Sequence, residues 1–171
     1  MNTQILTAIN NQIQAELYSS NLYLAMSSWA NAHGYKGISQ WLKMQALEEH
    51  THAMKFITFL EDRNEQPEIL HIDKPESTWS GIKEVFDEVL AHEQKVTKLI
   101  NTIYDLAIQE KDHASTSFLQ WFIDEQVEEE ATASEIIDEI SLAGEKGAGI
   151  YMIDKELGQR QQSSTTSSTD A

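Results

Sequence analysis

Cysteine is absent from the sequence, which excludes a disulfide scaffold, zinc ribbons and thiolate-held iron–sulfur clusters and accords with a reducing compartment. Proline and glycine are scarce, at two and seven, so the chain has few places to turn and must be built from long regular elements. No run of about 18 apolar residues is available for a membrane span. The opening Met1-Asn2-Thr3-Gln4 also lacks the basic-then-apolar build of a signal peptide, and together these predict a cytoplasmic protein with no membrane partner. Positive charge is short as well: 12 Lys and Arg against 28 Asp and Glu leave a net charge of −16. Such a surface repels phosphate backbones, which argues against nucleic acid as a partner, and it concentrates cations. What the 171 residues do have is 40 % hydrophobic content, enough to fill one substantial core.

Apolar residues recur at helical spacing in four long segments. The first, about residues 3–32, carries Ile5, Ile9, Ile13, Tyr23 and Ala30 on one face and closes at His33-Gly34; the second, about 37–64, carries Ile38, Leu42, Ala46, Phe56 and Phe59. About fifteen residues, Glu65 to Trp79, then hold both prolines, Pro67 and Pro75, and no helical pattern. A third helix, about 80–110 with Ser77 or Ser80 as its cap, carries Ile82, Phe86, Val89, Val96, Ile100, Ile103 and Ala107. After a break at Lys111 to Ala114, the fourth helix, about 115–143, carries Leu119, Phe122, Ala133, Ile136 and Ile140. Gly144, Gly147 and Gly149 form a joint before a short amphipathic helix, about 149–159, with Ile150, Ile153 and Leu157. Residues 1–160 thus form one domain, and the Ser/Thr-rich tail 161–171 is expected to be disordered.

Loop lengths give the topology. Breaks of about four residues force antiparallel neighbours, whereas helices of about 28 residues are roughly 42 Å long. A fifteen-residue connection spans about 50 Å when extended, enough to run the whole bundle and set helices two and three parallel. The expected fold is all-α: a four-helix bundle with one long crossover and a short fifth helix.

Each long helix breaks its apolar stripe near its own midpoint. The breaks are Glu16, then Glu49 with His52, then Glu93, then Gln126 with Glu129. Helices paired side by side bring midpoints to one level, so these groups converge. Four carboxylates without counter-charge cannot all stay ionised in a dry core, because desolvation and mutual repulsion raise their pKa values. Two divalent cations supply the missing charge, and oxygen ligands with one imidazole suit a pair of iron or manganese ions. Ferritin-like di-iron bundles have this arrangement, one Glu from each of two helices and Glu-x-x-His from each of the others. Here Glu16 and Glu93 are the single contributions and Glu49-x-x-His52 is one pair. The fourth helix departs from the pattern with Gln126-x-x-Glu129, so the two metal positions are expected to be unequal.

Over residues 1 to about 160 the sequence resembles the bacterial non-haem ferritins. The likeness lies in Glu16-Leu17-Tyr18-Ser19-Ser20, Glu48-Glu49-His50-Thr51-His52, His92-Glu93-Gln94, Leu119-Gln120-Trp121, Glu125-Gln126-Val127-Glu128-Glu129-Glu130 and Ser141-Leu142-Ala143-Gly144. The resemblance implies that Glu16, Glu49 and His52 hold a first iron, that Glu49 bridges, and that Glu93 with Glu129 holds a second, with Gln126 beside them. It matches Tyr23 to the tyrosine the family keeps near the irons. It also implies a third, weaker iron site at Glu48, Glu125, Glu128 and Glu129; independently, Glu125, Glu128 and Glu129 share one helix face. The implied activity is ferroxidase: two Fe2+ are oxidised by O2, and the Fe3+ is laid down as hydrated oxide inside a homo-oligomeric shell of 24 chains.

Other readings compete. Bacterioferritins keep Glu-x-x-His in both halves, against Gln126-x-x-Glu129. A rubrerythrin-like peroxidase or di-iron oxygenase would usually add a cysteine-rich domain, and mini-ferritins hold iron between subunits and lack the fifth helix. A bundle with a buried polar network and no metal is the non-enzymatic alternative. His50, offset by roughly 100° from Glu49, reads as an exposed or rim residue rather than a ligand. Trp121 reads as core, and His71, His92 and His113 read as surface groups. The acidic run Glu128 to Glu130 with Glu135, Asp138 and Glu139 is either a solvated face or a mineral-nucleating one. The fifth helix is expected to complete its apolar contact against other copies. Thr116 and Leu119 stand where acids line the three-fold channels of animal heavy-chain ferritins, which leaves the iron route open.

Overall fold

The structure, a computed structural model, describes residues 1–159; the predicted tail, 161–171, lies outside the described residues. Five helices follow one another: α1 (Thr3–Ala32), α2 (Lys36–Asp62), α3 (Ile82–Gln109), α4 (His113–Ala143) and α5 (Ala148–Leu157). There is no strand, and no helix is long and apolar enough to cross a membrane, among the described residues.

Local chemistry sets the helix ends. Asn2 caps α1 by accepting the Gln4 amide at 2.7 Å, and Asp112 caps α4 by accepting the Ser115 amide at 3.1 Å. That second cap starts α4 at His113, two residues before the expected start at about 115. Neither Ser77 nor Ser80 occupies the cap of α3, which is Gly81. Instead the Ser80 hydroxyl holds Glu84 at 2.6 Å, and Glu145, from the α4–α5 joint, accepts the Lys83 amide at 3.0 Å. Helices α1, α2 and α3 each close on left-handed backbone, at Gly34 (φ 93°), Asn64 (φ 57°) and Lys111 (φ 56°). The next amide then bonds the carbonyl five residues back, as in Tyr35 to Ala30 at 3.0 Å and Asp112 to Ala107 at 2.9 Å. Lysine in this conformation is strained, so Lys111→Gly should stabilise the chain by about 1 kcal/mol, read as a melting midpoint about 2–4 °C higher.

The crossover runs as its length predicts. Glu65 holds the Met1 amino group at 2.6 Å, the Glu68 amide donates to Asn10 at 3.0 Å, Gln14 reaches the His71 carbonyl, and Trp79 meets Trp29 edge to face at 6.0 Å. Those contacts climb from just before α1 nearly to its last residue, so α2 and α3 start at the same end and run parallel. The core consequently has two apolar halves. One is built on Met26, Trp41, Leu42, Phe86, Ile136 and α5, the other on Ile9, Ile13, Phe56, Val96 and Phe122, and a polar layer lies between them.

The fifth helix does not wait for another copy. Ile150, Ile153 and Leu157 are buried within this chain, and Tyr151 and Met152 are its exposed apolar side chains. Close approach makes this docking possible: a Cβ added to Gly37 would sit 1.6 Å from the Asp154 carbonyl oxygen. The buried Asp154 side chain accepts the Ile38 amide at 2.9 Å and so caps α2, whose own cap residue Tyr35 makes no side-chain bond. Asp154→Ala should cost about 1 kcal/mol of stability, measured as a lower thermal midpoint with the iron chemistry unchanged.

Candidate metal centre

The polar layer consists of the mid-helix breaks. Glu16 and Glu93 are 1 % exposed, Glu49 and His52 2 %, and Gln126 4 %, a degree of burial that charged groups tolerate only when partnered. Glu49 and His52 are i,i+3 neighbours on α2, with His52 Nδ1 3.6 Å from Glu49 Oε2. Ligand atoms of Glu16, Glu49 and His52 all lie within 4.8 Å of one another. The far half is looser. Glu93 Oε1 accepts the Tyr23 hydroxyl, and Gln126 donates to Glu93 Oε2 at 3.0 Å. Glu129, half-buried, accepts the Gln45 amide at 2.9 Å.

No lysine or arginine forms an ion pair with these four carboxylates among the described residues. Burial first, then the neighbouring Glu49 charge, pushes the Glu16 pKa well above its ordinary value. Burial and the Glu93 charge do the same for Glu49, with the adjacent Glu16 carboxyl opposing them. Burial raises Glu93 despite the opposing bonds from Tyr23 and Gln126. Glu129 is pushed up to about 9 by burial and by Glu93, Glu48 and Glu125. Tyr23 is held well above the usual phenol range by burial and Glu93, so it remains a donor. Glu16 Oε2 and Gln12 Oε1 are buried with no partner at all. The layer is therefore crowded with carboxyls that keep their protons until a cation arrives, it has lone pairs to spare, and its hard oxygen donors with one imidazole fit Fe2+.

A second group lies one step along: Glu48, His52 and Glu125 also bring ligand atoms within 4.8 Å. The structure thus brings Glu48 and Glu125 together with His52, which the expected third site did not include. Glu128 is exposed and outside that group, although its charge helps raise the Glu125 pKa after burial and Glu48. An open acidic groove along α4 takes in Glu128, Glu135, Asp138 and Glu139.

His50, His71 and His113 are exposed. His92 is not a surface group: it is buried against Tyr18 and Tyr23, with Nε2 2.7 Å from Ser19 Oγ, and burial lowers its pKa to about 4. The stripe of α3 is wider than its aliphatic residues indicate. Leu119 is fully buried and cannot line a channel. Trp121 is half-buried, edge-on to His52 at 5.4 Å. Sequence reasoning missed Gln12, which donates to Glu16 Oε1 at 2.8 Å, and Gln45, which holds Glu129. The signal was there, since each amide stands four residues before a core glutamate on the same helix face, Glu16 or Glu49.

Fold and layer together define a ferritin-like helical bundle. A family profile described as a ferritin-like domain matches residues 6–143. The bacterial non-heme ferritin of Bacteroides fragilis (strain 638R) is 45 % identical over 153 residues, covering 90 % of this chain and 95 % of that one. That of Escherichia coli O6:H1 is 40 % identical over 154 residues, covering 90 % and 93 %. An open-pore ferritin from the hyperthermophilic archaeon Archaeoglobus fulgidus superposes with a TM-score of 0.92 at 41 % identity, covering 94 % of this chain and 99 % of that one. The chain belongs to the ferritin family, in its bacterial non-haem branch, and iron storage is its function at the family level.

Proposed function

We propose that this protein is a cytoplasmic iron-storage ferroxidase that binds two Fe2+ inside each bundle, passes one electron from each to O2, and stores the ferric product as mineral inside a 24-chain shell. The observation that carries this reading is the Glu16, Glu49 and His52 group, three ligand atoms within 4.8 Å in a dry core, with Glu16 Oε2 left unpartnered. Glu16, Glu49 and His52 take one ion, Glu49 reaches both, and Glu93 with Glu129 takes the other, Gln126 lying beside it. Gln12 aims Glu16, Gln45 aims Glu129, and the Tyr23 hydroxyl steadies Glu93. Glu48, Glu125, Glu128 and Glu129 make a third, weaker site on the way to the acidic face of α4.

Carboxyls with raised pKa values hold protons that a metal must displace. Anaerobic Fe2+ binding near pH 7 should therefore release on the order of two protons per chain, measurable in weak buffer with a pH indicator. The reading is tested by anaerobic Fe2+ titration followed by O2 uptake, with particle mass measured alongside. About two tightly held Fe2+ per chain, rapid O2 consumption and a mass near 24 chains support it. Less than about one Fe2+ per chain would favour a metal-free polar network instead.

A further inference from the structure

Lys55 stands beside the second ligand group with its ammonium over the face of Trp121, 3.0 Å from the ring centroid. The register explains the position. On α2, Glu48, His52 and Lys55 follow one another at i, i+4 and i+7; on the antiparallel α4, Glu125 lies one turn after Trp121. Glu48 and Glu125 thus form a layer with His52, and Lys55 with Trp121 forms the next layer. Lys55 is partly desolvated there, and the Glu125 and Glu48 charges are the ones that oppose the burial-driven lowering of its pKa. A lysine with free access to water gains little from such a place. This one has its stem between two helices and its charge one helical turn from a dicarboxylate group.

We propose that Lys55, held on the Trp121 ring, is the resident counter-charge of the Glu48, His52 and Glu125 group and sets how weakly that group binds a divalent cation. Resting on the iron-binding role proposed above, this makes the third position a transit site. With Lys55 in place the two carboxylates are partly neutralised before any ion arrives, so an incoming ion binds loosely and leaves readily. Glu16, Glu49, Glu93 and Glu129 have no such cation and hold their ions more firmly. Lys55 touches neither O2 nor the paired ions; it is a positioning and specificity residue, and Trp121 is its platform.

The test uses Zn2+, which does not change oxidation state, titrated calorimetrically into the assembled full-length protein and its K55M and K55R variants. K55M keeps the stem but removes the charge, and should tighten the weakest class of site about tenfold, as expected for one unit charge at this range in a partly wet site, while leaving the two tighter sites unchanged. K55R keeps charge and ring contact and should match the wild type. Trp emission followed in the same titration should change as the weak site fills and Lys55 shifts on its ring, and that change should vanish in W121F. Equal weak-site affinity in K55M and wild type, with the two tight sites filling normally, would overturn the role of Lys55 and leave the ferroxidase reading standing. Failure of wild type to bind Zn2+ at any of these carboxylates would overturn both.

Discussion

Glu49→Ala should slow the rapid phase of Fe2+ oxidation by about a hundredfold or more, beyond what loss of a supporting group alone causes. Glu49 is the one carboxylate that pairs locally with His52, has a ligand atom within 4.8 Å of one on Glu16 and feels the charges of Glu93 and Glu129, so its loss affects both halves of the layer at once. Stopped-flow absorbance after mixing with aerobic Fe2+ measures the rate, and Glu49→Gln, which keeps the shape, separates lost ligation from lost fold. Glu128→Ala should leave the initial rate intact and alter later turnovers, because Glu128 is exposed and lies outside the buried layer. Equal initial rates for wild type and Glu49→Ala would defeat the assignment of the site.

The second large effect is on stability. Glu16, Glu49, Glu93 and Glu129 all have folded-state pKa values above those of the unfolded chain, Glu129 reaching about 9. A carboxyl raised on folding binds its proton more tightly in the native state, so its contribution is fully present below the ordinary carboxylate pKa. It is lost as pH rises through the folded value. The iron-free protein should therefore melt lower as pH climbs from about 5 toward 9, by about 5 °C or more if the linkage amounts to about 2 kcal/mol. Adding Zn2+ or anaerobic Fe2+ at the high end should restore the midpoint, because bound cations replace the protons. Asp112 behaves oppositely. Burial alone would raise it, but bonds from Arg63 and Ser115 outweigh burial and hold it low, so its contribution is present at neutral pH and fades only in acid.

The sequence made the bundle legible because its signals are local. Four apolar stripes at helical spacing, two short breaks and one long one dictate antiparallel hairpins joined by a full-length crossover, and the Met1–Glu65 to Trp29–Trp79 contacts follow that path. The mid-helix breaks were legible for the same reason, a polar residue inside a stripe being visible without a partner. What escaped depends on pairs distant in sequence. Asp154 capping α2 and Glu145 reaching the first turn of α3 are contacts of 116 and 62 residues' separation. The burial of α5 rests on Gly37 meeting Gly158, a fit no periodicity announces. His92 was misjudged because histidine beside a charged Glu93 looks like surface, whereas Ser19 and two tyrosines enclose it. The Lys55 and Trp121 contact likewise exists only once α2 and α4 are set side by side.

The central claim is that the buried carboxylate layer oxidises iron that the protein then keeps. Repeated aerobic additions of Fe2+, each followed by gel filtration and measurement of iron in the protein peak, test it most directly. Iron retained far beyond three ions per chain, accumulating with each addition and lost in Glu49→Ala under equal exposure times, is the expected result. Iron that stops at two or three ions per chain, or that accumulates at the same rate without Glu49, would contradict the account.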